Sequence, residues 1–170
     1  SEMCIRDRNS IVIPRHSSEK RKYVPLIYCK ERVMVNDSVY IIPNTDLFVF
    51  GLLSSSMHNA WVRMFCGRLD MRIRYSNILC YKNFPFPEDI TTEQKENIAR
   101  LAARILELRM NYKDQPLGNV YNDLPPELLL AHINLDKAVE KLYGEQLFFN
   151  DDARLKVLIK LFNKQRTGSP

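Results

Sequence analysis

The chain has 170 residues, of which 45% are hydrophobic, and a formal charge of +5. That is enough apolar material to bury a core for one domain or two small ones. No apolar run is long enough to span a membrane and no secretory h-region is present, so a membrane partner is excluded and a cytoplasmic protein is expected.

The surplus charge is unevenly placed. Residues 1–87 carry 13 Lys+Arg and 7 Asp+Glu, net +6, whereas residues 88–170 carry 12 and 13, net −1. A basic first half points to a polyanionic partner for that half. Cys4, Cys29, Cys66 and Cys80 form no C-x-x-C pair and no zinc-ligand spacing, and are expected to be reduced, mostly buried thiols.

In chain order, "SEMCIRDR" (residues 1–8) differs in character from the remainder of the chain and looks like a translated sequencing-adapter artefact. It is read as a non-native leader, with native sequence starting near Asn9 and continuing upstream in the true protein. From Ser10 to about Ile42, "SIVIP", "YVPLIYC" and "RVMVNDSVYII" are rich in Val, Ile and Tyr and predict strands. Between the first two lies "RHSSEKRK", read as a basic polar loop. From about Ser54 to Phe65, Met57, Ala60, Trp61, Met64 and Phe65 recur at helical spacing, with serines as caps and Gly67 as a stop. "GRLDMRIRYS" (Gly67–Ser76) alternates with a period of two. As one strand it would set Arg68, Asp70, Arg72 and Arg74 on one exposed face, with Leu69, Met71, Ile73 and Tyr75 on the other.

"NFPFP" (Asn83–Pro87) cannot continue a central strand and marks a boundary. Beyond it the pattern is helical. "TTEQ" (Thr91–Gln94) fits a capping box, and Ile98, Leu101, Ile105 and Leu108 mark one face. A second helix follows Pro125-Pro126, with Leu128, Leu135, Val139 and Leu142 inward and Gly144 stopping it. A third runs from about Asp152 through Leu155, Leu158 and Phe162. The expected fold class is α+β: a mixed, strand-rich basic part with a Trp-bearing helix (residues 9–87), then a small helical domain of about three helices (residues 88–166).

Several chemistries lack their residues. Five glycines at 51, 67, 118, 144 and 168 give no G-x-G turn and no Walker loop. "LPPE" (Leu124–Glu127) has the prolines of a methyltransferase amine-binding loop without its flanks, and reads as a helix start. Glu93-Gln94-Lys95 matches a nuclease-like pattern but sits at a helix start, as a solvated face. His58 has no partners in sequence for a complete active site, although a small hydrolase using it remains a third reading.

What remains is recognition. Arginine bridges guanine O6 and N7 with two hydrogen bonds, and aspartate accepts from cytosine N4. A strand carrying Arg68, Asp70, Arg72 and Arg74 lays such groups along a major groove, with Arg15, Lys20, Arg21 and Lys22 as phosphate contacts. On pattern alone an amphipathic edge strand whose charges are solvated explains the same residues. A protein-interaction module, with the arginine face salt-bridged and no DNA role, is the alternative function.

"IVIPRHSSEKRKYVPL", "GLLSSSMHNAWVRMFCGRLDMRIRYS" and "YKNFPFPE" together resemble the end of the MmeI-type restriction–modification proteins. That family combines nuclease, adenine-N6 methyltransferase, target recognition and C-terminal helical parts in one chain. The resemblance covers about residues 11–88 as an ordered set of motifs, and the rest looks like the family's C-terminal domain. It implies that base-reading side chains follow G-R-L, at Asp70, Arg72 and Arg74, with Ser38 as a further candidate. Arg15 and Arg63 match family motif positions and, with Arg68, are expected at phosphates. It further implies duplex DNA and an upstream methyltransferase domain as partners. No cofactor is expected in this chain, and S-adenosylmethionine is expected in the parent protein, because methyltransferase and nuclease motifs are missing here.

Overall fold

The computed structural model describes residues 9–30, 37–144 and 148–168. The leader at 1–8 and the stretch 32–36 of the third expected strand lie outside the described residues.

Strand β1 (Ser10–Pro14) is the middle of a three-stranded antiparallel sheet, between β3 (Ile27–Cys29) and β4 (Val39–Pro43). Ile11, Val12 and Ile13 are buried in succession, which a strand permits only when both its faces are covered. At Arg15 the chain leaves this sheet. The Arg15 N–H donates to the Ser38 carbonyl at 2.9 Å and its carbonyl accepts from the Tyr75 N–H at 2.8 Å. It then continues as β2 (His16–Ser18), the edge of a second sheet. The start of "RHSSEKRK" is therefore a strand and not a loop. Its backbone partners come from β6 (Arg72–Arg74), so the tertiary pairing overrides a polar local sequence.

The second sheet has the order β2, β6, β5, with β5 at Gly67–Leu69. Here the structure corrects the single strand expected over Gly67–Ser76. β5 and β6 form an antiparallel hairpin with Gly67 opposite Arg74 and Leu69 opposite Arg72. Asp70 and Met71 make the two-residue loop, and Asp70 takes φ 55°. Aspartate tolerates this left-handed conformation better than most residues, which is what lets so short a loop close.

Helix α1 (Leu47–Leu53) is capped by Asp46, whose carboxylate accepts from the Val49 N–H at 2.9 Å. Helix α2 (Ser56–Phe65) is capped by Ser55, as the serine cluster predicts. It ends at Phe65, and extended Cys66 leads straight into β5, so Gly67 opens a strand and does not stop the helix. A π-helix at Asn77–Lys82 precedes Asn83–Thr91, a stretch with neither helix nor strand, in keeping with its prolines.

The helical part comprises α3 (Thr92–Arg109), the short α4 (Leu117–Asn122), α5 (Pro126–Glu140) and α6 (Asp151–Thr167). Thr91 and Gln94 form the reciprocal capping box, and Pro126 opens α5. Helices α1 and α3 cross closely at Gly51, where a Cβ would lie 2.7 Å from Ile98 Cγ2. One apolar cluster runs across both parts, joining Tyr23, Leu52, Met57, Trp61 and Phe84 to Ile98, Ile105, Leu128, Leu135 and Leu158. Trp61, only 2% exposed, sits within this cluster.

Cys66 and Cys80, two of the four cysteines expected to be reduced, lie close together, with Cα atoms 6.1 Å apart, within the range that a disulfide requires. Sequence spacing alone does not reveal that the end of α2 and the π-helix lie side by side. Cys29 is free and half-buried, and burial pushes its thiol up from the ordinary value.

Candidate nucleic-acid interface

The central strand of the second sheet sets the geometry of the candidate site. Directly opposed residues of an antiparallel pair share a face, and residues two apart in a strand share one too. His16 lies opposite Arg74, and Ser18 opposite Arg72. The outward face therefore carries His16, Ser18, Arg72 and Arg74, with both arginines exposed on the middle strand. The reverse face carries Ser17 and Ile73, each 4% exposed, against the core. Among the described residues no carboxylate pairs with Arg72 or Arg74.

The four residues expected on one face thus divide. Arg72 and Arg74 share the outward face. Asp70 is exposed in the hairpin loop, beside Met71, which is 59% exposed at the tip. Arg68 lies opposite Ile73, hence on the reverse side, and reaches Glu19 at 3.4 Å. The fold-back after Leu69 is the cause, because it breaks the count of two between Arg68 and Arg72. Ser38 is exposed at the start of β4, and its carbonyl holds the Arg15 N–H where the two sheets meet.

The expected phosphate contacts divide as well. Lys20 and Lys22 are exposed. The Arg15 guanidinium stacks 4.6 Å from the centre of the Tyr40 ring. Arg63 donates from Nε to Asp151 at 2.9 Å and from Nη1 to the Lys22 carbonyl at 3.1 Å. Arg21 donates from Nε to Asn122 Oδ1 at 2.8 Å and from Nη1 to Ser17 Oγ at 3.3 Å. The last three side chains thus pack against or bond to partners within the fold. His16 and Ser18 were missed by sequence reasoning. Their alternation around Ser17 in "RHSSE" was the available signal.

Beneath the sheets lies a buried polar junction between the two parts. Asp136 of α5 is 7% exposed and accepts from the Ser56 N–H at 2.7 Å, Ser56 Oγ at 2.6 Å and Tyr23 Oη at 2.7 Å. Burial pushes its carboxyl up, while the bonds from Ser56 and Tyr23 pull it down. It also sits at the N-terminus of α2, where a negative charge is favoured. His132 stacks on Tyr23 with ring centres 4.2 Å apart, and its Nε2 lies 2.7 Å from Tyr121 Oη. Arg109 donates to Tyr121 Oη from Nε at 3.0 Å and to the Leu26 carbonyl at 2.6 Å.

His58 belongs to this interior. It is 2% exposed, its Nε2 lies 3.0 Å from Tyr75 Oη, and burial pushes its pKa down to about 3. A neutral, enclosed imidazole has no access to a substrate, which removes the hydrolase reading. Two shallow surface depressions lie along the first turns of α3, from Thr91 to Arg100, and between Glu88, Tyr143 and Lys164.

The outward face of this small sheet is basic, and its two exposed arginines have no carboxylate partner among the described residues. Residues 2–88 match the family model described as "MmeI, target recognition domain", and residues 90–168 match "MmeI, C-terminal domain". The chain belongs to the MmeI family. It is 38% identical over 157 residues to "DNA methyltransferase A" of Bacillus subtilis (strain 168), an alignment covering 91% of this chain and 18% of that protein. It also superposes, with a TM-score of 0.87 and 37% identity, on the Type IIL restriction-modification enzyme MmeI solved in complex with DNA. That match covers 94% of this chain and 21% of the other. The chain thus spans about a fifth of the length of these relatives.

Proposed function

We propose that this chain is the DNA-recognising portion of a restriction–modification DNA adenine-N6 methyltransferase. It would comprise the end of the target recognition domain, up to about residue 87, and the C-terminal helical domain from about residue 88. The observation that carries the reading is the outward pair Arg72 and Arg74, exposed and without a carboxylate partner among the described residues, in the segment matching a target recognition domain. Asp70, Arg72, Arg74 and Ser38 are assigned to base edges. Lys20, Lys22 and Arg68 are assigned to phosphates, and Arg15, Arg21 and Arg63 to the fold. Methyl transfer from S-adenosylmethionine, and any cleavage, would be performed by upstream domains of the parent chain in the cytoplasm.

The protein-interaction reading needs the arginine face neutralised and the helical half free to dock elsewhere. In the structure that half packs against the first part of its own chain through a shared core.

Titration of duplex DNA at two salt concentrations tests the proposal. Three phosphate contacts give a log–log slope of about −2.7, hence about a forty-fold loss of affinity across a four-fold rise in salt. Salt-independent or absent binding by a folded sample would overturn the proposal.

A further inference from the structure

The Arg21 guanidinium stands between the two parts of the molecule. Its Nε donates to Asn122 Oδ1, at the end of α4, at 2.8 Å. Its other arm donates to Ser17 Oγ at 3.3 Å. A Cβ on Gly118 of α4 would lie 2.9 Å from Arg21 Nη2, so the helix presents a bare backbone where the guanidinium lies. Ser17 is the central residue of β2, buried and paired in register with Ile73. Ile73 separates Arg72 from Arg74 on the strand that carries them.

A short edge strand of three residues has little intrinsic stability and relies on what lies behind it. Arginine's rigid planar fork suits a bridge between two elements, since its donors diverge at fixed angles. From this geometry we infer that Arg21 is a positioning residue: anchored on Asn122 and Gly118 of the helical part, it holds Ser17, and so β2, beside the strand that presents Arg72 and Arg74. The inference rests on the DNA-recognition reading for its consequence, though not for its mechanics. It gives the C-terminal domain a role in target choice, as the fixed support against which the reading strand is aligned. It also explains why an arginine in a basic segment is not at the polyanion surface. Burial lowers its pKa from the ordinary value, as expected for a guanidinium turned toward the protein.

The test uses four variants of the whole chain, of which Arg21→Ala removes the guanidinium altogether. Asn122→Ala removes the anchor, Gly118→Ala crowds the guanidinium, and Arg21→Lys keeps the charge but not the fork. Asn122 is exposed, so its variant is expected to fold. Amide hydrogen exchange of β2 and β6 is compared with that of β1 and β4. Binding to a duplex selected from a randomised pool is compared with binding to a scrambled one. Exchange should quicken in β2 and β6 alone. The ratio of the two affinities should fall at least about five-fold, the lower end of what one base contact discriminates, while scrambled-duplex affinity and salt slope hold.

Three other outcomes decide against the proposal. Unchanged exchange and an unchanged ratio, with Arg21→Ala lowering affinity and salt slope for every duplex alike, would make Arg21 a phosphate contact. A loss of protection spread over the whole chain would make it a general stabiliser. Local loosening with an undiminished ratio would overturn its role in target choice. A wild-type chain that binds no duplex would instead overturn the DNA reading, and the exchange measurement would still decide whether Arg21 holds β2.

Discussion

The buried junction around Asp136 and the outward face of the second sheet are both polar, and they treat polarity in opposite ways. At the junction, the three donors facing the Asp136 carboxylate are all satisfied by it, and His132, Tyr121 and Arg109 continue the bonding toward Leu26. On the outward face, Arg72 and Arg74 have no carboxylate partner among the described residues. Buried polar groups are costly unless paired, so the bonds to Asp136 are tied to folding. Exposed charges are solvated at little cost, so the second region has no need of a partner within the fold. Substitutions in the first region should therefore be read in stability, and those in the second in recognition.

The largest effect should come from the apolar wall of the junction. Trp61 packs against Phe65, Phe84 and Phe162, and its indole N–H donates to the Leu79 carbonyl at 3.0 Å. Trp61→Ala should cost about 3–5 kcal/mol in chemical denaturation. A cost under about 1 kcal/mol would mean that the two parts do not rely on their shared core. Asp136→Ala strands the Ser56 N–H, Ser56 hydroxyl and Tyr23 hydroxyl, and should cost about 3 kcal/mol. Asp136→Asn, which keeps an acceptor, should cost less. Equal losses would show that water already enters the site.

Acid should act on the same region. His58 and His132 both have pKa values pushed down to about 3, mainly by burial, with Arg109 adding to the effect at His132. Unfolded histidine titrates near 6.5. Below that pH the unfolded chain binds up to two more protons than the native one, so stability is fully present above about pH 6.5 and is lost as pH falls. From pH 7 to pH 5.5 the two histidines should together remove about 2.5 kcal/mol. The raised carboxyl of Asp136 works in the opposite direction, since it favours proton uptake in the folded state. Stability unchanged between these two pH values would mean that at least one imidazole is solvated.

How much of this was legible in the sequence depended on whether the cause was local. The capping box at Thr91–Gln94, the proline start of α5 and the serine cap of α2 follow from adjacent residues, and each is present. Helix α1 was missed because "LFVFGLL" is apolar throughout and shows no period, although Asp46 stood before it as a cap. The hairpin was missed because Asp-Met lacks the glycine that usually signals such a loop. No local signal gives the internal bonds of Arg21 and Arg63, because their partners, Asn122 and Asp151, are 101 and 88 residues away. A basic run shows its charge in the sequence but not which of its members the fold uses.

The hairpin also changes how the reading face is best tested. Asp70 does not share a strand face with Arg72. It holds the left-handed loop position, and most side chains placed there would strain the backbone by about 1–2 kcal/mol. Replacing it with lysine would confuse a lost base contact with a distorted loop. Asparagine tolerates the same conformation and changes only the chemistry. Aspartate accepts a hydrogen bond from cytosine N4, whereas asparagine pairs with adenine N6 and N7. If Asp70 reads a base, Asp70→Asn in the full-length parent should move one position of the preferred site from cytosine toward adenine, with about 1–3 kcal/mol of discrimination. Arg72→Ala should relax preference for guanine by a similar amount. Both should leave stability within about 0.5 kcal/mol, as expected of surface changes that touch no buried partner. The same preferred site in a randomised methylation library before and after Asp70→Asn would show that the loop does not read the base. An effect of Arg72→Ala alone would then confine recognition to the outward face of β6.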